Sequence, residues 1–122
     1  MILIDSYGWI EYFVRGRFAD RYGKYIEIKE ELIIPTIIIY EVYKKLKSQI
    51  GEQLALEAYT EMLNARVIPL TEDIALKAAD MSLVSGLAMA DAIIYATAMS
   101  NNAKLVTSDP HLKNLAGVTF IE

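Results

Sequence analysis

Cysteine is absent from this chain and histidine occurs once, so disulfides, thiolate nucleophiles, zinc–thiolate centres and histidine clusters are all excluded. No apolar run approaches the roughly 18 residues that a membrane-spanning helix needs, and no basic segment leads into an apolar stretch with a small-residue cleavage site. The expectation is a cytoplasmic protein with no membrane partner. A basic excess is also missing. The net charge of -4 argues against broad, nonspecific adhesion to nucleic acid, which draws on a strongly positive surface. It leaves phosphodiester chemistry open, because a few carboxylates gathered in one pocket would supply the negative excess and a divalent cation would locally reverse it.

What the chain has in quantity is apolar material, 54% of its 122 residues, without low-complexity tracts, linkers or internal repeats. That is enough for one packed core, and residues 1–122 are expected to form a single domain. Short apolar runs alternate with stretches of helical period. Ile2 to Ile4, Leu32 to Ile34, Val67 to Leu70, Lys104 to Thr107 and Val118 to Ile121 read as strands, and their continuous apolar character suggests cover on both faces. Alternation of the two kinds predicts an α/β fold with a parallel sheet. Helices are expected over Gly8 to Phe13, about Arg17 to Ile28, Thr36 to Lys47 with Thr36 as its cap, and Glu52 to Asn64. Two more are expected over Glu72 to Val84, capped by Thr71 and ended by Gly86, and over Met89 to Ser100.

Four acids stand where packing alone would not place a charge. Asp5 ends the first apolar run, Glu41 interrupts Ile37-Ile38-Ile39-Tyr40, Asp91 opens the helix through Ala98, and Asp109 closes Lys104-Leu105-Val106-Thr107. Each has a local alternative. Asp5 suits a helix cap, Glu41 an i,i+4 pair with Lys45, Asp91 the positive end of its helix, and Asp109 an Asp-Pro turn. Glu41 is the hardest to dismiss, because it shares a helical face with Ile37 and Ile38, where an unpaired carboxylate is costly. If the first and fourth strands are neighbours, Asp5 and Asp109 meet at the carboxyl edge of the sheet, where ligands of parallel sheets collect. The two helices would then lean Glu41 and Asp91 over the same edge. Four crowded carboxylates repel one another until a hard cation relieves them, which points to Mg²⁺ or Mn²⁺ and to metal-assisted phosphodiester hydrolysis. Thr107 or Ser108 would orient a carboxylate or a water.

These segments resemble a PIN domain, and more narrowly a VapC-type toxin ribonuclease. The likeness lies in Leu3-Ile4-Asp5-Ser6, Ile33-Ile34-Pro35-Thr36 leading to Glu41, Asp91-Ala92-Ile93-Ile94-Tyr95-Ala96, and Leu105-Val106-Thr107-Ser108-Asp109, in family order along the chain. The resemblance implies a three-layer α/β/α sandwich with a five-stranded parallel sheet of order 3-2-1-4-5. It assigns Asp5, Glu41, Asp91 and Asp109 to the metal and catalytic positions and Thr107 to the supporting hydroxyl. It also implies a Mg²⁺- or Mn²⁺-dependent endoribonuclease acting on RNA, a homodimer, and silencing by a cognate antitoxin. Two positions depart from the pattern: Tyr7 stands where many PIN domains carry Asn, and Leu112 where an aromatic is frequent.

A noncatalytic PIN-like module that binds RNA or protein is the competing reading. A phosphorelay receiver domain would need an Asp on the middle strand and a later Lys, and Asn64 to Leu70 offers no such Asp. His111 is expected on a surface turn, and Trp9, Tyr12 and Phe13 in the core or in protein contacts. The arginines and lysines between Arg15 and Lys24, and those from Lys44 to Lys47, would serve either as a phosphate-binding patch or as solvated helix faces with pairs such as Asp20 with Lys24.

Overall fold

The computed structural model describes all residues, Met1–Glu122. Five parallel strands form one sheet: β1 (Ile2–Ile4), β2 (Leu32–Pro35), β3 (Arg66–Ile68), β4 (Lys104–Thr107) and β5 (Val118–Phe120), in the order β3-β2-β1-β4-β5. Six helices flank it: α1 (Ser6–Val14), α2 (Ala19–Ile26), α3 (Thr36–Gln49), α4 (Glu52–Met62), α5 (Glu72–Ser85) and α6 (Met89–Ser100). This is the α/β/α sandwich and strand order that the resemblance implies.

The three inner strands behave as the apolar runs predict. Leu3, Ile4, Ile33, Ile34, Leu105 and Val106 are wholly buried, and with α1, α3 and α6 side chains such as Trp9, Ile38, Val42 and Ile94 they form one contiguous core. The edge strands differ from expectation. Val67 is exposed and β3 ends at Ile68, because Pro69 has no N–H to continue the ladder and only one neighbour pairs with an edge. Continuous apolar character at Val67 to Leu70 therefore did not signify two-sided cover.

Helix boundaries follow local chemistry. Thr71 Oγ1 accepts from Ile74 N at 3.2 Å and caps α5, which Gly86 ends at φ 75°. Thr36 does not cap α3. Pro35 ends β2 and directly precedes the helix, so Thr36 is already its first residue and makes no capping bond. Helix α1 begins at Ser6, earlier than expected, and carries Gly8 inside it. A Cβ there would overlap the Tyr22 ring and lie 2.7 Å from Ile4 Cγ2, so glycine is what lets α1 lie close to α2 and the sheet. The chain breaks after Arg15, at φ 57°, and Glu11 reaches across the break to accept from Phe18 N at 2.9 Å. That bond, reaching seven residues along the chain, accompanies a start of α2 later than the sequence pattern suggests. The Asp20–Lys24 ion pair, one of the two readings of that basic stretch, does not form; Lys77–Asp73 at 2.9 Å is the i,i+4 pair that does.

Candidate active site at the carboxyl edge of the sheet

Ile4 on β1 pairs with Val106 on β4, so the next residues along the two strands, Asp5 and Thr107, emerge side by side. The Asp5 backbone continues the ladder for one more bond, its N–H donating to the Val106 carbonyl at 3.0 Å. Asp5 then turns the chain into α1. Its carbonyl accepts from Gly8 N and Trp9 N, and its Oδ1 accepts from Ser6 N at 2.7 Å. The cap reading of Asp5 therefore holds, and it leaves Oδ2 free for the edge of the sheet. Thr107 Oγ1 donates to that oxygen at 2.7 Å and accepts from Asp109 N at 3.0 Å. One buried hydroxyl thus links the acid that follows β1 to the acid that follows β4.

The two helical acids complete the group. Glu41 on α3, Asp91 at the start of α6, Asp5 and Asp109 all line one cleft of about 410 Å³, together with Ser6, Tyr7, Ile94, Ser108 and Pro110. Glu41 makes no ion pair with Lys45, which is exposed; its Oε1 is buried without any hydrogen-bond partner. An uncompensated buried carboxylate oxygen is costly, and here it faces the other acids rather than a cation. Asp91, Asp109 and His111 offer ligand atoms within 4.8 Å of one another.

Electrostatics reflect the crowding. Burial pushes the Asp5 carboxyl above its usual range, with the Asp109 charge adding to the rise and the Thr107 and Ser6 hydrogen bonds opposing it. Burial also raises Glu41, reinforced by Asp5 and Asp91 and opposed by Ser6. Asp91 is raised by burial and by the charges of Asp109 and Asp5, with His111 pulling the other way. Three acids raised chiefly by burial, each with a neighbouring carboxylate adding to the rise, form a group suited to a hard cation. The donor set fits Mg²⁺ or Mn²⁺: carboxylate oxygens, no thiolate, and one oxygen with no other partner.

All five residues singled out in the sequence, Asp5, Glu41, Thr107, Asp91 and Asp109, meet at this edge. Two neighbours were not anticipated there. His111 lies on the expected exposed turn, yet its Nδ1 is 3.0 Å from Asp109 Oδ1 and its backbone N donates to the same oxygen at 2.9 Å. Its spacing of two from Asp109 was the available signal. Ser6 lines the cleft beside Glu41 with its backbone N–H on Asp5 Oδ1, and only the approach of α3 to α1 reveals this.

The family model described as PIN domain matches residues 2–118. No curated protein matches in sequence. Among solved structures, the chain is similar to a toxin–antitoxin complex from Klebsiella pneumoniae, with TM-score 0.81 and 24% identity over 98% of this chain and 96% of that one. It is also similar to VapC20 of Mycobacterium tuberculosis, described as a sarcin-ricin loop cleaving toxin, with TM-score 0.71 and 17% identity over 85% of each chain. A third is VapBC2 from Rickettsia felis bound to a promoter DNA fragment, with TM-score 0.77 and 16% identity over 99% of this chain and 98% of that one. At these identities the likeness is one of fold.

Proposed function

The chain belongs to the PIN domain family, and from that premise we propose that it is a metal-dependent endoribonuclease, the toxin of a toxin–antitoxin pair. The observation that carries the reading is the cleft itself, in which four acids converge at the carboxyl edge of the sheet and Glu41 Oε1 has no partner within the protein. Asp5, Glu41, Asp91 and Asp109 would hold Mg²⁺ or Mn²⁺. When bound, such an ion supplies Lewis-acid polarisation of the phosphodiester and a more acidic water.

The chain's own residues do the positioning. Thr107 fixes the Asp5 carboxylate through Oδ2 and anchors the Asp109 backbone, so the two strand-end acids keep a set separation. Ser6 restrains Asp5 from the other side. The acids differ in exposure. Asp5 is only 5% exposed, whereas Asp91 and Asp109 lie nearer the mouth of the cleft, where an RNA backbone would arrive.

A cognate antitoxin as partner is supported by the fold-level likeness to proteins solved as toxin–antitoxin complexes. A homodimer is supported by the outer face of α5, where Leu76 and Leu83, seven residues apart on one helical face, stand exposed with Val84. Cytoplasmic residence belongs to the same reading.

The test is cleavage of single-stranded and structured RNA by the purified protein in Mg²⁺, Mn²⁺ or chelator, alongside Asp91→Asn. Cutting that requires the ion and falls by roughly a hundredfold or more in the variant is expected. Equal cutting by both proteins, or cutting undiminished in chelator, would overturn the mechanism.

A further inference from the structure

We propose that Tyr7 is a substrate contact, a stacking platform for an unpaired RNA base beside the scissile phosphate. The proposal rests on the reading of the acidic cleft as an RNA-cleaving site and goes beyond it by naming how the nucleotide is held.

Tyr7 is the second residue of α1, two positions after Asp5, and it is the one aromatic side chain lining the cleft. It is 44% exposed, while Trp9 on the same helix is buried in the core. Packing therefore does not account for a ring of this size at the mouth of a pocket built from carboxylates.

The ring is also held in place. Tyr22 meets it in an edge-to-face contact, with centroids 6.4 Å apart and planes at 68°. Tyr22 is itself wholly buried, and its hydroxyl is 2.6 Å from Ser108 Oγ, which donates to the Ile121 carbonyl at 2.7 Å. Tyr22 thus has its ring against Tyr7 and its hydroxyl fastened to the turn between Thr107 and Asp109. Gly8 leaves the room that Tyr22 occupies. A platform fixed by this chain of contacts loses little conformational freedom when a base stacks on it.

The chemistry of the cleft explains why such a contact is useful. Four carboxylates repel a phosphodiester, and the protein as a whole is acidic. Stacking on an aromatic face contributes affinity that is independent of charge and tolerant of base identity, and it selects single strands and loops whose bases are free to splay out. The ligand class is accordingly single-stranded RNA with an unstacked base next to the bond that is cut.

The experiment uses the full chain and a short fluorescent single-stranded RNA, with binding measured by anisotropy in Ca²⁺ and cleavage kinetics measured in Mg²⁺ or Mn²⁺. Tyr7→Ala is expected to raise both Kd and KM roughly tenfold, with kcat changed by less than about threefold. Tyr7→Phe and Tyr7→Trp are expected to stay near wild type, since each keeps a ring. Tyr59→Ala, which removes an exposed tyrosine from α4, is the control expected to match wild type. An abasic nucleotide scanned along the RNA is expected to erase the difference between wild type and Tyr7→Ala at one position. Unchanged binding in Tyr7→Ala overturns the proposal, as does a Tyr7→Phe protein as weak as Tyr7→Ala, which would assign the effect to the hydroxyl. If wild type cuts RNA and Tyr7→Ala cuts it equally well, stacking fails while the nuclease reading stands. If wild type neither binds nor cuts RNA, the nuclease reading falls and takes this proposal with it.

Discussion

Thr107 makes two hydrogen bonds through one buried oxygen, and both serve acids of the cleft. Thr107→Ala would leave Asp5 Oδ2 and the Asp109 N–H without their partners, at a cost of about 1–3 kcal/mol read by urea denaturation. An unchanged midpoint would show that water replaces the hydroxyl without loss. Asp5, Glu41 and Asp91 all have carboxyls raised above the ordinary values of 3.8 for Asp and 4.5 for Glu. A raised folded value means that the native state keeps protons which the unfolded chain has released. In metal-free protein the contribution of these groups to stability therefore falls as pH climbs from the unfolded values through the raised ones. Asp91→Asn removes one of the repelling charges. Its melting temperature in chelator should exceed that of wild type by a few degrees at neutral pH, and the gap should close as pH falls below the unfolded aspartate value of 3.8, where both states bind the proton. A gap that stays constant with pH would show that charge repulsion is not its source. At this scale Glu41 was legible as an anomaly, because a carboxylate among Ile37, Ile38 and Val42 has no packing reason to be there. Ser6 was not, because its place beside Glu41 in the cleft depends on how α1 and α3 meet.

Two threonines precede or open helices in nearly the same sequence setting, and the structure uses only one of them as a cap. Thr71 follows a loop and bonds Ile74 N; Thr36 follows Pro35, which is still part of β2. Thr71→Ala is expected to cost about 1 kcal/mol of stability and Thr36→Ala less than about half of that, measured in parallel urea titrations. Equal losses would show that Thr36 contributes by another route. The same contrast explains which elements could be read directly. The inner strands and α6 follow from continuous apolar runs, and α5 from its Thr71 and Gly86 caps, all local signals. The start of α2 does not, because Glu11 holds Phe18 N across the turn between α1 and α2. The end of β3 was misjudged because an edge strand and an inner strand can share one composition.

For the molecule as a whole, the unpaired outer face of α5 is the feature that a single copy leaves unexplained. Leu83 and Val84 are 87% and 91% exposed. If this face joins two copies, Leu83→Glu combined with Val84→Glu should convert a dimer to a monomer in light scattering coupled to size exclusion, with the melting temperature little changed at low concentration. A wild-type monomer, or a dimer that survives both substitutions, would move the interface elsewhere. The cleft and this face involve different side chains, so the substitutions report on assembly without touching the acids.

By itself the sequence determined the kinds of elements, the parallel sheet and the identity of the anomalous acids, since apolar periodicity and a misplaced charge are both local properties. Its likeness to PIN domains supplied the strand order. The tertiary structure decided what local patterns do not contain. Pairing β1 directly with β4 sets Asp5 beside Thr107; the approach of α3 and α6 brings in Glu41 and Asp91 and leaves one carboxylate oxygen without a partner. It also braces Tyr7 against Tyr22, because Gly8 gives that ring room. These are contacts between residues up to 102 positions apart in the chain, and only the assembled sheet makes them neighbours.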